Sequence, residues 1–91
     1  TMTRHRKMGP EARRAVILTA GRNLVRAKGF AALSLLDVAR WCEIHTAPAT
    51  VKHYFANRQT LARCVIEEAR RLDDRVVLRR AIEANEKAVA S

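Results

Sequence analysis

Apolar side chains recur at helical spacing in several stretches of this chain, with Gly, Pro and small polar residues between them. From Glu11 onward, Ala15, Leu18, Ala20, Leu24, Val25 and Ala27 form one stripe, broadened by Val16 and Ile17. Pro10 suits the first turn of this helix, and Lys28-Gly29 suits its end. Ser34 is an N-cap type with Asp37 three places on, so a second helix is expected through Leu36, Val38, Ala39, Trp41 and Cys42, ending near Glu43. Ile44 to Ala47 read as a turn. Thr46 is the expected cap of a short third helix, with Pro48 in its first turn and an end near Tyr54.

Asn57 is the next N-cap residue, and no Gly or Pro follows from Arg58 to Ala90. Leu61, Val65, Ala69, Leu72 and Val76 hold one stripe, after which the phase drifts through Val77, Leu78, Ala81 and Ile82. The drift falls at Asp73-Asp74, which predicts two helices, about 58–72 and 74–89, with one continuous helix as the alternative. The expected fold is therefore all-α: a three-helix unit followed by one long or two shorter helices. The expected divisions are 1–9 (a flexible basic arm), 10–56 and 57–91.

Charge changes the picture from a generic small helical domain to one with an anionic partner. The net charge is +9 over 91 residues. Residues 1–33 carry eight basic side chains against one acidic, 34–57 two against two, and 58–91 eight against six. The positive field comes mainly from the N-terminal third, as expected of a nucleic-acid binder. Cys42 and Cys64 lie in partly apolar surroundings with no CxxC and no Cys/His cluster, so reduced thiols, no metal site and no cofactor are expected. No apolar run approaches a bilayer span, and the N-terminal stretch lacks the apolar core of a secretory signal. The absence of paired carboxylates, Gly-rich phosphate loops or a partnered nucleophile predicts a protein that is not an enzyme.

The segment from Leu33 to Phe55 reads as helix, turn, helix. Ala39 is small where a crossing helix must come close. The second helix of the pair is a poor core element, yet short enough to enter a major groove about 12 Å wide. Ala47, Thr50, Lys52 and His53 would face outward, and Val51 and Phe55 inward. Trp41 reads as core, and the stretch from Trp41 to Phe55, with three of the four aromatics, as the tightest packing. Tyr54 reads as half core, its hydroxyl reaching outward. His45 is an ordinary surface histidine or a weaker DNA contact.

On these residues the chain resembles the TetR family of bacterial transcription regulators over about residues 13–69. The resemblance rests on Lys28-Gly29-Phe30, Ser34 with Val38-Ala39, Thr50-Val51-Lys52-His53-Tyr54-Phe55, and Arg58 with Leu61. It implies a homeodomain-like helix-turn-helix in which Ser34 caps the second helix and touches a phosphate. Thr50 would sit at the DNA face, His53 and Tyr54 would contact phosphate or base edges, and Arg58 would bind backbone phosphate. Three departures stand out. Cys42-Glu43-Ile44-His45 replaces the family's Ala-Gly-Val-Ser, the turn is about two residues longer and holds Pro48, and Lys52 replaces an aromatic. The family's C-terminal ligand-binding domain has no counterpart in the about 20 residues that follow, so a minimal form with no small-molecule effector is expected.

The function expected is that of a sequence-specific DNA-binding regulator, a repressor binding double-stranded palindromic DNA as a homodimer in the bacterial cytoplasm or nucleoid. Its DNA contacts would be Arg4, Arg6, Lys7, Ser34, Thr46, Ala47, Thr50, Lys52, His53, Tyr54 and Arg58. Leu72, Val76, Leu78 and Ile82 would form the dimer contact, and no membrane partner is expected. Two other readings stay open: a phage- or plasmid-encoded module that binds and inhibits a host protein, and a non-specific DNA-coating protein.

Overall fold

A computed structural model describes residues 9–84 and 86. They form helices α1 (Pro10–Lys28), α2 (Leu35–Trp41), α3 (Pro48–Phe55), α4 (Arg58–Arg71) and α5 (Arg75–Glu83), with a single 3-10 turn at Phe30–Ala32 and no strand among them.

Local chemistry explains most of the boundaries. Pro10 occupies the first turn of α1, where its missing N–H costs nothing, and Glu11 lies at the positive end of the helix dipole. Gly29 ends α1 at φ 85°, ψ 171°, its N–H donating to the Val25 carbonyl. Side chains other than glycine are essentially excluded from that backbone region. Ser34 and Asn57 cap α2 and α4 by accepting from the N–H groups of Asp37 and Thr60.

α1 and α4 form the centre of the core. Ile17, Leu24 and Val25 of α1 meet Leu61, Val65, Ile66 and Ala69 of α4, all of them buried. The helices approach so closely at Gly21 that a Cβ there would lie 2.9 Å from Val65 Cγ2. The α1 stripe is rotated from the one expected: Ala15 and Ala27 face solvent, and Ile17 is fully buried. Nor is Trp41 part of the core. Phe30 and Phe55 are in the core, while Trp41 lies at the surface, 36% exposed at the C-terminal end of the short α2.

The two helices expected after Asn57 are present, with the break at Asp73-Asp74. Asp73 has φ 55°, which turns the chain back so that α5 packs against α1. Leu72 and Val76 therefore leave the core stripe and are exposed, and Val77 and Ala81 replace them at 0% exposure. Of the four expected dimer residues, Leu72, Val76 and Ile82 are exposed. Leu78 is not available in the same way, because it packs partly buried against the core. One core runs through both sides of Asn57.

Asp74 pins the α4–α5 corner. Its carboxylate caps α5 by accepting from the Val77 N–H. It also pairs with Arg22 at 3.0 Å and Arg26 at 2.9 Å, with only 2% of its side chain exposed. Burial pushes this carboxyl up, but the Val77 N–H and the two guanidinium groups outweigh it and hold it below the ordinary range.

Candidate nucleic-acid interface

The supporting helix of the pair, α2, is short and held at both ends. The Ser34 hydroxyl accepts from the Asp37 N–H at 3.0 Å and also lies 3.0 Å from the Asp37 carboxylate, to which it donates. Val38 and Ala39 are buried under it, and the small Ala39 lets the neighbouring helix approach. Ser34 is thus the cap that the sequence predicts. A phosphate at its hydroxyl would have to displace the bond to Asp37.

The connection from Cys42 to Ala47 is where sequence and structure part. Thr46 does not cap α3; Ala47 occupies the N-cap position and no side chain caps that end. Thr46 is 6% exposed, and its hydroxyl donates to the Ile44 carbonyl at 2.8 Å. Arg13, in the first turns of α1, reaches across to donate from Nη1 to Thr46 Oγ1 at 3.3 Å and to the His45 carbonyl at 3.4 Å. A buried hydroxyl so engaged does not reach DNA, which removes Thr46 from the set of base or phosphate contacts. His45 lies exposed beside it.

α3 starts at Pro48, with the two residues expected to face inward on its inner side. Val51 and Phe55 are inserted into the core at 0% and 1% exposure. Ala47, Lys52 and His53 are exposed, Thr50 and Tyr54 half-buried. The Tyr54 ring packs against the core, edge-on to His53 with centroids 5.2 Å apart. Phe55 has the Arg14 guanidinium 5.3 Å over its ring, which adds a cation–π contact to the inner side of α3. The helix ends at Ala56, the centre of a tight γ-turn with φ 56° and ψ −56°, closed by the Asn57 N–H donating to the Phe55 carbonyl.

Arg58 stands at the start of α4 but serves a different purpose from the one expected. Its guanidinium donates to the Phe30 carbonyl at 2.8 Å and the Leu33 carbonyl at 3.4 Å, and pairs with both Glu86 carboxylate oxygens at 2.9 and 3.1 Å. All its nitrogens are engaged inside the protein, so it holds the turn before α2 in place and is not a free phosphate ligand. Arg4, Arg6 and Lys7 lie outside the described residues.

The structure thus gathers Thr50, Lys52, His53 and Tyr54 on one short helix and Ala47 at its N-cap, with Ser34 capping the helix that supports it. Arg13 and Asp74 are the important side chains that the sequence reading passed over. Arg13 did leave a trace: it falls four residues before Ile17 and seven before Ala20, on the buried face of α1. A cation on a core stripe has to find a polar partner. No group of three or more His, Cys, Asp or Glu among the described residues is arranged to hold a metal ion. A shallow groove of about 190 Å³ lies between α1 and α2, lined by Val16, Thr19, Trp41 and Ile44. No helix among the described residues is long and apolar enough to cross a membrane.

Comparison with known families agrees with this geometry. Residues 17–65 match the family model described as bacterial regulatory proteins, tetR family. That span runs from the core of α1 to the middle of α4 and includes the whole helix-turn-helix. No curated protein and no solved structure matches the chain.

Proposed function

The chain belongs to the tetR family of bacterial regulatory proteins and is a DNA-binding transcription regulator; from that premise we propose that it reads a palindromic site as a homodimer and acts as a repressor. The observation that carries this reading is α3 itself: Val51 and Phe55 are sunk in the core, while Lys52 and His53 stand out from the same two turns. A helix seated in this way offers polar side chains to a major groove without loosening the fold.

Lys52 suits the O6 and N7 acceptors of guanine, His53 and Thr50 suit base edges or phosphate, and Ala47 suits a thymine methyl. The Tyr54 hydroxyl suits a phosphate. Lys52 and Arg40, together with Arg4, Arg6 and Lys7 in the sequence, provide attraction that does not depend on base identity. Two copies place their α3 helices in successive major grooves about 34 Å apart, and the exposed Leu72, Val76 and Ile82 offer the surface for pairing. Occupying promoter DNA represses without any chemistry, and the bacterial cytoplasm is where such DNA lies.

Selection of bound duplexes from a random pool, with the protein's mass in solution measured alongside, tests the proposal. The expected results are a palindrome and a mass of two chains. Binding should fall with salt by about 0.9 in log K per phosphate neutralised. Enrichment of no sequence despite salt-sensitive binding means non-specific coating. No binding to any duplex at low salt leaves a protein-interaction module.

A further inference from the structure

We propose that the Arg13–Thr46 contact is a brace that positions α3 for DNA reading, with Thr46 and Arg13 acting as positioning residues. This rests on α3 being the reading helix as proposed above.

Three observations converge on it. First, α3 has no side-chain cap, and Pro48 supplies no N–H at its start, so only backbone bonds to the Ala47 carbonyl hold its N-terminal end. Second, Thr46 and Asp74 are the two buried polar or charged side chains among the described residues. Asp74 is explained by its two arginines and the cap it makes on α5. Thr46 has a comparable set of partners but lies in the connection leading into α3. Third, the bonds link two segments: Arg13 of α1, and the connection through Ile44, His45 and Thr46, the last of them one residue before the N-cap.

The chemistry of the contact suits a brace. The Thr46 hydroxyl is at once donor to Ile44 and acceptor from Arg13, so it folds the connection on itself and fastens it to α1. A buried hydroxyl stays in place only while both bonds are made. Arg13 addresses a hydroxyl and a carbonyl together through Nη1, and the lysine ammonium, one bond closer to the backbone, falls short of both acceptors. The connection carries about two more residues than the pattern of the family it resembles. A longer connection allows α3 more positions, and the brace selects one. A misplacement of about 1 Å at a reading helix is enough to lose base-edge hydrogen bonds while leaving phosphate attraction largely intact.

The test uses the full chain with Thr46→Val, Thr46→Ser, Arg13→Lys and wild type. Affinity is measured for the duplex selected by wild type and for a random duplex of the same length, over a salt series. Amide hydrogen exchange is followed without DNA. Thr46→Val should lower the ratio of selected to random affinity about tenfold, as expected for one buried hydrogen-bonding group left unpaired. Thr46→Ser should restore that ratio. Arg13→Lys keeps the charge and should lower the ratio with the salt slope retained. In both impaired variants the amides of α3 should exchange faster relative to wild type than those of the middle of α1.

An unchanged ratio in both Thr46→Val and Arg13→Lys overturns the brace. So does unchanged exchange in α3, which can be read even if no duplex is selected. If wild type selects nothing while the exchange of α3 responds as expected, the DNA reading fails and the structural brace stands. If Thr46→Val does not fold, Arg13→Lys decides both measurements.

Discussion

Asp74 ties the C-terminal half to α1. It joins three elements at once: Arg22 and Arg26 of α1, its own position after α4, and the Val77 N–H of α5. Asp74→Asn preserves the shape and a cap acceptor but leaves two guanidinium groups facing a neutral amide. Removing one partner of a buried pair costs about 3–5 kcal/mol, and the half-exposed Arg26 brings this nearer about 2–3 kcal/mol. Urea denaturation at neutral pH measures it. The pH dependence has a definite sign. A carboxyl held below its unfolded pKa of about 3.9 stabilises the fold above that value and loses its contribution as pH falls through the lower folded value. The difference between wild type and Asp74→Asn should therefore be full at pH 6 and shrink as the pH falls below about 3.9. A difference that stays constant down to pH 2 contradicts the assignment.

Ala56 presents the opposite case, a residue whose conformation costs stability. With φ 56° and ψ −56° it lies in a region that L-residues avoid, and it is the pivot between α3 and α4. Strain of this kind is worth about 1–3 kcal/mol, and glycine relieves it at the expense of about 0.4–1 kcal/mol of unfolded-chain entropy. Ala56→Gly is expected to raise stability by about 1 kcal/mol, read as a higher denaturation midpoint at unchanged slope. A lower midpoint would show that the turn does not carry this strain.

At the scale of elements, the crossing of α1 and α4 sets the frame on which α2 and α3 are mounted. It depends on Gly21, because a methyl there meets the stiff, β-branched Val65 at 2.9 Å. Gly21→Ala gains about 1 kcal/mol of helix propensity and costs about 1–3 kcal/mol in overpacking, so a net loss near 1 kcal/mol is expected. The same substitution made in a Val65→Ala background should cost less or become stabilising. Additive effects in that double-mutant cycle would place the source of the cost elsewhere. Arg58 acts on the same scale: by holding the carbonyls of Phe30 and Leu33 it fixes the turn that delivers Ser34 to the start of α2. The Arg71–Glu68 pair, by contrast, is a one-turn surface bridge that lowers the Glu68 carboxyl through its hydrogen bond and adds little to the fold.

For the whole molecule, the proposed homodimer makes a prediction about the outer face of α5. Val76 and Ile82 are 53% and 66% exposed on α5, while Val77 and Ala81 hold that helix to α1. Introducing charge at the exposed pair should therefore disturb assembly without disturbing the fold. Val76→Glu with Ile82→Glu is expected to shift the sedimenting species from dimer to monomer, to leave the helical circular-dichroism signal intact, and to weaken binding to a palindrome more than to a half-site. A dimer that persists would move the pairing surface away from α5.

The sequence by itself determined the bounds of α1 and the starts of α2, α3 and α4, because those signals are local: Pro10, Gly29, Ser34, Pro48 and Asn57 act through their own backbone angles or through bonds spanning three or four residues. It also determined the inward and outward sides of α3, since Val51 and Phe55 are separated by one helical turn. Tertiary structure alone decided the roles that need a distant partner. Arg13 meets Thr46 across 33 residues, Arg22 meets Asp74 across 52, and Arg58 meets Glu86 across 28. No spacing rule reaches so far: an expected cap is instead a partner of Arg13, an aspartate at the expected helix break is a buried anchor, and an expected phosphate ligand is a clamp. The exposure of Leu72 and Val76 belongs with them. They continue the apolar period of α4, and only the reversal at Asp73, which lets α5 pack back onto α1, takes them out of the core.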